Sequence, residues 1–154
     1  MKFRRATEAD LPEIVRLLAD DDLGAKRENF TEPLPDCYYT AFRDIENMPN
    51  SQILLVVDDE KILGCLQLMI LPGLSIQGMK RAQIEGVRVA KKYRGQKIGT
   101  SLLKEAIKIA QLAGCGLVQL TTNKQRQDAY RFYRKLGFQP SHEGMKLSLT
   151  IDNV

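Results

Sequence analysis

The sequence predicts a mixed α/β sandwich, on the basis of three observations along the chain. Residues 53–71 have the pattern of a β-hairpin, residues 82–122 that of a strand–helix–strand unit, and residues 129–150 that of a closing helix followed by strands. A strand–helix–strand unit sets its two strands parallel through a right-handed crossover. A hairpin joined to such a unit therefore gives a sheet with both antiparallel and parallel neighbours.

The N-terminal third of the chain predicts a short strand and two helices. The strand covers residues 3–6, and Thr7 with Asp10 has the pattern of a helix cap. Apolar residues then recur at the helical spacing i, i+3, i+4 and i+7: Leu11, Ile14, Val15 and Leu18. After a proline-containing loop at 24–36, a second helix covers 37–47. Its inward residues are expected to be Ala41, Phe42 and Ile45.

Alternation, helical periodicity and glycines predict the remaining elements. The expected strands cover 53–57, 62–71, 82–90 and 117–122, with a helix at 98–113 before the last of them. The strand at 117–122 has the apolar character of a buried strand. An apolar stripe marks a last helix: Ala129, Phe132, Tyr133 and Leu136, with Gly137 closing it. Phe138 and residues 145–150 are expected to supply the final strands.

Length favours a single domain, and the charge leaves its partner open. A chain of 154 residues is long enough for a single domain, 1–154, with its own core. The net charge of +4 has two interpretations, a solvated surface or attraction of an anion. Nucleic acid is not expected as a partner, because the sequence has no recognised binding motif and no ladder of stacking aromatic residues.

Cysteine and histidine content argues against a metal site. Cys37, Cys65 and Cys115 are odd in number and lack metal-ligand spacing, and His142 is the single histidine. Such cysteines are typical of a reducing compartment. The first residues lack the apolar segment of a signal peptide, and no apolar run approaches membrane-spanning length. We therefore expect a cytoplasmic location and no membrane partner.

The segment from Val87 to Thr100 has the features of an anion site. It predicts a strand, then a basic turn, then a helix that begins at Ile98. A helix start presents unpaired backbone N–H groups and the positive end of the helix dipole, which suit a phosphate or pyrophosphate. Gly95 and Gly99 allow close backbone approach. Four side chains add positive charge: Lys91, Lys92, Arg94 and Lys97.

This turn resembles the pyrophosphate loop of the GNAT N-acetyltransferases, R/Q-x-x-G-x-G/A. Arg94 and Gly99 match the pattern, with Ile98 between the two glycine positions. Lys97 stands where the first glycine usually does, a departure that matters if the position requires positive φ. Neither the P-loop spacing nor the Rossmann glycine fingerprint is present.

A second motif strengthens the resemblance. GNAT enzymes have a strand that ends near an Asn, followed by a helix with A-x-x-F-Y-x-K-x-G-F. Asn123 stands at the first place, and the helix pattern is matched by Ala129, Phe132, Tyr133, Lys135, Gly137 and Phe138. The two motifs cover about 82–140, and the order of elements extends the resemblance to most of the chain. It implies the GNAT fold, a mixed twisted sheet of about six or seven strands flanked by about four helices.

The resemblance implies an acetyl-CoA-dependent N-acetyltransferase that acts by direct transfer in a ternary complex, with no metal. Backbone groups of Val87 and Val89 would pair with the pantetheine arm, and Asn123 would hydrogen-bond it. Tyr130 would flank the cofactor. Arg88 would either contact a phosphate or be a plain surface residue, and the sequence favours neither role. The turn N–H groups that would hold the pyrophosphate belong to Arg94, Gly95, Gln96, Lys97, Ile98, Gly99 and Thr100.

Two residues are implied as the catalytic pair. Tyr133 would be the general acid beside the thioester sulfur, the alternative being a plain member of the helix's apolar stripe. Glu85 would be the general base, directly or through a water. Ideal alternation puts it on the face of Val87 and Val89, where apolar neighbours would raise its pKa. A carboxylate paired with an arginine is the alternative, and a β-bulge would re-aim these side chains.

The acceptor is open between a small-molecule amine and a peptide amine. In the family it meets the first helices and the inter-strand loops, here 20–40 and 71–80. Acidic residues could favour a cationic amine or be solvated loop charge: Asp20, Asp21, Asp22, Glu28, Glu32 and Asp36. Phe30, Tyr38 and Tyr39 could line an acceptor pocket or pack against the core. His142 is expected to have a structural role, because a lone histidine near a strand turn contacts a substrate less often than it supports the fold. Family members are often homodimers. The alternative function is a non-catalytic acyl-CoA-binding regulatory module on the same fold.

Overall fold

The computed structural model describes residues 1–149, which divide into a first unit, Met1–Leu120, and a second that begins at Thr121. The first unit contains a five-stranded sheet in the order β1-β2-β3-β4-β5. Its strands are β1 (Lys2–Arg5), β2 (Ser51–Asp58), β3 (Lys61–Leu71), β4 (Lys80–Val89) and β5 (Cys115–Leu120). β1 to β4 are antiparallel neighbours, and β5 runs parallel to β4. The predicted hairpin and the predicted mixed sheet are therefore confirmed.

Six α-helical segments and two 3-10 turns accompany the strands of the described residues. The first unit has α1 (Leu11–Leu18), α2 (Asp22–Ala25), α3 (Asp36–Asn47), α4 (Ser75–Gly78) and α5 (Ile98–Leu112). The second has α6 (Gln127–Lys135), and the 3-10 turns are Glu8–Asp10 and Lys91–Tyr93. Within α4, Ile76 and Gln77 have positive φ, so this segment is not a regular right-handed helix. No helix of residues 1–149 is both long and apolar enough to cross a membrane.

Helices cover both faces of the sheet in the first unit. The long helix α5 contacts β2, β3, β4 and β5 on one face, where Leu102, Leu103 and Ala106 are fully buried. On the other face α1 contacts β3 and β4, and α3 contacts β2. That second core contains Leu11, Ile14, Val15, Leu17, Leu34, Phe42, Leu55, Val57 and Cys65. In α1, the buried residues Leu11, Ile14 and Val15 recur at helical spacing. In α5, Leu102, Leu103 and Ala106 do the same. This spacing explains why both helices form where the sequence predicts them.

Asp10 ties the first strand to the first helix. Its carboxylate accepts two hydrogen bonds of 2.7 Å from the Arg4 guanidinium and one of 2.7 Å from the Thr7 backbone N–H. The Thr7 hydroxyl donates a further bond of 3.0 Å. The Arg4 hydrogen bonds are the main cause that lowers the pKa of Asp10 from 3.8 to about 2. The predicted pairing of Thr7 and Asp10 at the helix start is confirmed.

We expect Asp10→Asn to lower the free energy of unfolding at pH 7 by about 1–2 kcal/mol. This is less than the full pKa shift of Asp10 would give, because solvent at the partly exposed Arg4 side chain screens the ion pair. Because the folded pKa is depressed, the stabilisation is present above about pH 4 and is lost as the pH falls towards 2. Urea unfolding of both proteins at several pH values measures this. The difference between them should shrink below about pH 4, and a pH-independent difference would contradict the assignment.

Three details of the predicted elements are wrong. Ala41 is exposed, because the inward stripe of α3 is centred on Tyr38, Phe42 and Ile45 and leaves Ala41 on its flank. β5 is only partly buried, with Leu117 38% exposed, since β5 lies at one edge of the five-stranded sheet. Residues 138–149 form no strand: they alternate like one, but a strand requires a hydrogen-bonded neighbour. Thr150, the end of the predicted final strand, lies outside the described residues.

Candidate active site

The strand β4 loses its parallel neighbour halfway along its length. The β4–β5 register ends at the pair Ile84–Leu120, whereas pairing with β3 continues to Val89. Within the first unit, residues 85–89 therefore have one edge without a strand beside it. The N–H of Ala90 donates to the Leu63 carbonyl on β3 at 2.9 Å. Since successive residues of a strand point their backbone groups to opposite sides, Val89 directs its N–H and C=O to the open edge.

A β-bulge interrupts β4 at the start of this open edge. Gln67 pairs with Glu85 and Cys65 pairs with Arg88, so three steps of β4 oppose two steps of β3. Gly86 has φ 59°, a conformation that glycine adopts without the steric cost of a side chain. The extra residue shifts the alternation, so Glu85 shares a face with Arg88 instead. The prediction that Glu85 lies on the face of Val87 and Val89 is therefore wrong.

Glu85 is exposed, so the apolar surroundings predicted for it are not observed. Its Oε1 accepts a hydrogen bond of 3.0 Å from Nε2 of Gln83, two residues earlier on the same face of β4. Gln67 lies directly opposite on β3. The residue thus stands in a row of polar side chains at the sheet surface, open to solvent.

Arg88 lies on the face of the sheet that α1 covers, opposite Cys65 of β3. Only 17% of its side chain is exposed, and its Nε lies 3.9 Å from Oδ2 of Asp21. Its Nη1 donates to the Val87 carbonyl at 2.9 Å. The interpretation of Arg88 as a plain surface residue is wrong, because the bulge turns its side chain towards the segment between α1 and α2.

The turn between β4 and α5 has the backbone of an anion cradle. Gly95 and Lys97 have positive φ values of 77° and 62°, and α5 begins immediately afterwards at Ile98. Helix geometry leaves the N–H groups of the first turn of α5 without acceptors inside the helix. The cationic side chains around them are exposed: Lys91, Lys92, Arg94 and Lys97. This arrangement can hold a phosphate through backbone N–H groups and positive charge together.

Asp20, just after the C-cap of α1, fastens the beginning of this turn. Its Oδ2 accepts from the Lys91 backbone N–H at 3.2 Å, and its carbonyl accepts from Nη2 of Arg94 at 3.2 Å. The Nε of Arg94 donates to the Val89 carbonyl at 3.0 Å. Sequence reasoning assigned Asp20 to amine attraction or solvated charge and missed this role. No local pattern signals a contact between residues 74 positions apart.

Two further acidic residues between α1 and α3 have structural partners. Asp21 accepts from the Gly24 N–H at 2.6 Å as the N-cap of α2. Glu28 accepts from the Tyr38 hydroxyl at 2.8 Å, and that hydroxyl accepts from the Asn29 N–H at 2.9 Å. These bonds fasten the loop to α3, which supports packing over amine attraction for Glu28 and Tyr38. Phe30 is 49% exposed.

Lys97 has a left-handed backbone conformation, which disfavours every residue that has a Cβ. A left-handed conformation costs a non-glycine residue roughly 1–2 kcal/mol. We expect Lys97→Gly to be more stable than Lys97→Ala by about 1 kcal/mol, since both remove the charge and only glycine removes the strain. Chemical unfolding of the two variants measures the difference. Equal stabilities would mean that position 97 does not have positive φ in solution.

The second unit carries the other predicted site residues. The Asn123 side chain accepts from the Gln125 N–H at 2.9 Å, and its carbonyl accepts from the Arg126 N–H at 2.8 Å, so it shapes the turn before α6. Tyr130 is 43% exposed. The half-buried ring of Tyr133 packs against Phe132 and Phe138, with centroid distances of 5.3 and 5.8 Å. His142 is exposed, and its Nδ1 lies 2.8 Å from the Ser141 hydroxyl.

Cys65, which pairs with Arg88 across β3 and β4, offers no reactive thiolate to the open edge of β4. Cys65 is 2% exposed in the core under α1, and burial raises the pKa of its thiol to about 12. Such a thiol is protonated at neutral pH and is a poor nucleophile. Among residues 1–149, no group of three or more His, Cys, Asp and Glu side chains is arranged to hold a metal ion.

A cavity of about 620 Å³ lies beside the 3-10 turn that leads into the anion cradle. It is bounded by α1, by the β2–β3 turn and by residues 90–93. Its charged residues are of both signs and include Glu13, Arg16, Lys61 and Lys92. Glu13 and Arg16 neutralise each other through two hydrogen bonds of 2.6 and 2.7 Å. The cavity therefore shows no preference for an anion or a cation.

Comparison with known proteins identifies the family. The sequence profile of the Acetyltransferase (GNAT) family matches residues 20–138. This chain belongs to the GNAT acetyltransferase family. The match spans both motifs found in the sequence, and the predicted α/β GNAT fold is confirmed, with five strands among the described residues where about six or seven are expected.

Three proteins that are similar to this chain have different names. Aminoalkylphosphonate N-acetyltransferase of Salmonella typhimurium is 36% identical over 68% of this chain and 70% of its own length. Human N-alpha-acetyltransferase 30 is 30% identical over 88% of this chain but only 34% of its own. A crystal structure described as a transcriptional regulator from Bacillus halodurans C-125 is 49% identical, with a TM-score of 0.93, over 96% of this chain and 99% of its own.

Proposed function

We propose that this chain is an acetyl-CoA-dependent N-acetyltransferase that moves an acetyl group to a primary amine by direct attack in a ternary complex. The observation that carries the proposal is the adjacency, in one unit, of the open β4 edge at 85–89 and the anion cradle at 94–100. An extended pantetheine arm needs strand-like backbone partners, and a pyrophosphate needs N–H groups at a helix start. Both are supplied by consecutive stretches of the chain.

The proposed binding mode assigns a role to each part of the turn. Val87 and Val89 pair with the arm, and the N–H groups from Arg94 to Thr100 hold the pyrophosphate. The two valine carbonyls already accept from Arg88 and Arg94, at 2.9 and 3.0 Å. A carbonyl oxygen has two lone pairs, so these bonds leave an acceptor site at each valine. In the second unit, Asn123 and Tyr130 are proposed to contact the same cofactor.

Glu85 is proposed as the general base. An ammonium has no lone pair, so the amine must lose a proton before its nitrogen bonds to the thioester carbonyl carbon. Glu85 takes that proton, directly or through a water, and the carbon–sulfur bond then breaks. The exposed position of Glu85 at the bulge supports contact with an amine that arrives from solvent.

Tyr133 is proposed as the general acid that gives a proton to the departing thiolate. A phenol with a pKa of about 10 is protonated at neutral pH and can do so. We expect Tyr133→Phe to lower kcat by about 10²-fold, the low end for general acid catalysis, because a thiolate is a good leaving group. The ring packing is preserved by Phe, so a CoA-release assay isolates the hydroxyl. A variant with the parent turnover rate would leave Tyr133 as a packing residue only.

The acceptor is proposed to be a small-molecule amine or a peptide amine. The first is in line with the relative named aminoalkylphosphonate N-acetyltransferase, and the second with N-alpha-acetyltransferase 30. An amine panel distinguishes them: an aminoalkylphosphonate, a polyamine, an aminoglycoside, free amino acids, and peptides with a free N-terminus or a lysine. CoA release is measured at a fixed acetyl-CoA concentration. Selective turnover of one class assigns the acceptor. A homodimer and a cytoplasmic location remain predictions from the sequence.

A second candidate function is a non-catalytic acyl-CoA-binding regulatory module, favoured by the description of the Bacillus halodurans structure as a transcriptional regulator. Thermal shift with acetyl-CoA, with dephospho-CoA and ATP as controls, comes first. A concentration-dependent rise supports binding to the folded state for both candidates. CoA release with any amine then favours the enzyme. Binding without turnover across the panel favours the module, and no rise at millimolar acetyl-CoA contradicts both.

A further inference from the structure

Two glutamine side chains connect β5 to Glu85 across the surface of the sheet. Nε2 of Gln119 donates to Oε1 of Gln83 at 2.7 Å, and Nε2 of Gln83 donates to Oε1 of Glu85 at 3.0 Å. Gln83 and Gln119 are direct partners in the parallel β4–β5 register. Gln83 is two residues before Glu85, on the same face of β4. The last register pair, Ile84–Leu120, lies immediately beside this connection.

The direction of the two hydrogen bonds is determined by chemistry. An ionised carboxylate can only accept, so Gln83 must turn its NH₂ group towards Glu85. The Gln83 carbonyl oxygen then faces Gln119, which must turn its own NH₂ group towards it. A donor at position 119 therefore supports the catalytically useful orientation of Gln83. An acceptor at position 119 competes with Glu85 for the same NH₂ group.

We infer that Gln83 is a positioning residue that holds the Glu85 carboxylate for proton abstraction, and that Gln119 orients Gln83. The inference rests on the proposed role of Glu85 as the general base. Glu85 lies at a bulge, is exposed, and has a flexible side chain, so packing does not hold its carboxylate. The Gln83 amide, half-buried and anchored on the paired part of β4, supplies the missing constraint.

The expected effects follow from the strength of an exposed hydrogen bond to a charged group. We expect Gln83→Leu to lower kcat about three- to tenfold, with little change in the KM for acetyl-CoA, because the cofactor cradle is untouched. Gln119→Lys keeps a donor and should retain most of kcat. Gln119→Glu offers only an acceptor and should lower kcat about as much as Gln83→Leu.

The experiment measures CoA release by the full chain, with acetyl-CoA and the most active amine of the panel above. Gln111→Leu, an exposed glutamine on α5, is the matched control and should keep the parent kcat. A lower kcat in Gln83→Leu and Gln119→Glu, but not in Gln119→Lys, supports the inference. Equal kcat in the parent and Gln83→Leu overturns it, provided Glu85→Gln is impaired. Equal losses in both Gln119 variants overturn the orienting role of Gln119.

A second readout does not depend on turnover. The side-chain NH₂ protons of Gln83 should show a downfield NMR resonance for the proton bonded to Glu85, and Glu85→Ala should move it upfield. An unchanged resonance in Glu85→Ala overturns the contact itself. A parent protein without turnover instead refutes the proposed function. An unimpaired Glu85→Gln in an active parent refutes the role of Glu85 as the base. Either result removes the premise of the positioning role. The two failures are thus distinguishable.

Discussion

Glu85→Gln should lower kcat at neutral pH by about 10²- to 10⁴-fold while leaving acetyl-CoA binding intact. The substitution removes the proton acceptor and keeps the shape of the side chain, and Glu85 lies outside the anion cradle at 94–100. The loss should diminish as the pH rises, because the amine then loses its proton to solvent before it attacks. CoA release between pH 6 and pH 10, with a saturating amine, measures both effects.

The matched control is Glu46→Gln, an exposed carboxylate on α3 in the same unit. It should keep the parent pH–rate profile. Thermal shift with acetyl-CoA should be the same in all three proteins, which separates a catalytic defect from a folding or binding defect. If Glu85→Gln has the parent kcat and pH–rate profile, Glu85 is not the base.

Leu103→Ala should lower the free energy of unfolding by about 2–5 kcal/mol. Leu103 is fully buried under the sheet at the centre of α5, so the removed methyl groups leave a cavity that close-packed neighbours fill only in part. α5 also carries the anion cradle at its N-terminus. Acetyl-CoA should therefore bind more weakly at temperatures where the variant begins to unfold.

Leu112→Ala is the control on the same helix, because Leu112 is 80% exposed at its C-terminal end. It should change the free energy of unfolding by less than about 0.5 kcal/mol. Denaturant unfolding of the two variants compares the same chemical change at two depths. Similar losses in both would mean that α5 does not pack on the sheet through Leu103.

Local patterns in the sequence were sufficient for most of the elements. The stripe of Leu11, Ile14 and Val15, the hairpin, and the helix that begins at Ile98 all have the predicted positions. These features depend on residues a few positions apart, and such spacing is visible in one chain. The pattern at 145–149 failed because a strand also needs a partner, which periodicity does not supply.

The candidate site was only partly predictable, because part of it depends on pairing between strands rather than on local spacing. The anion turn follows from glycines, cations and a helix start within one short segment. The surroundings of Glu85 do not, because the bulge at Gly86 is a mismatch in register between β3 and β4. The cost of the lysine at position 97 also became visible only once its φ of 62° was known.

By itself, the sequence determined the order of the five sheet strands and of α1, α3, α5 and α6, the position of the anion turn and the family. Helix stripes, strand alternation and motif spacing are all properties of neighbouring residues in one chain. Only the tertiary structure decided which face Glu85 occupies, that Asp20 fastens the turn, and that Gln119 and Gln83 lead to Glu85. These depend on hydrogen bonds and register between strands and helices that are distant along the chain, and folding alone brings those groups within hydrogen-bonding distance.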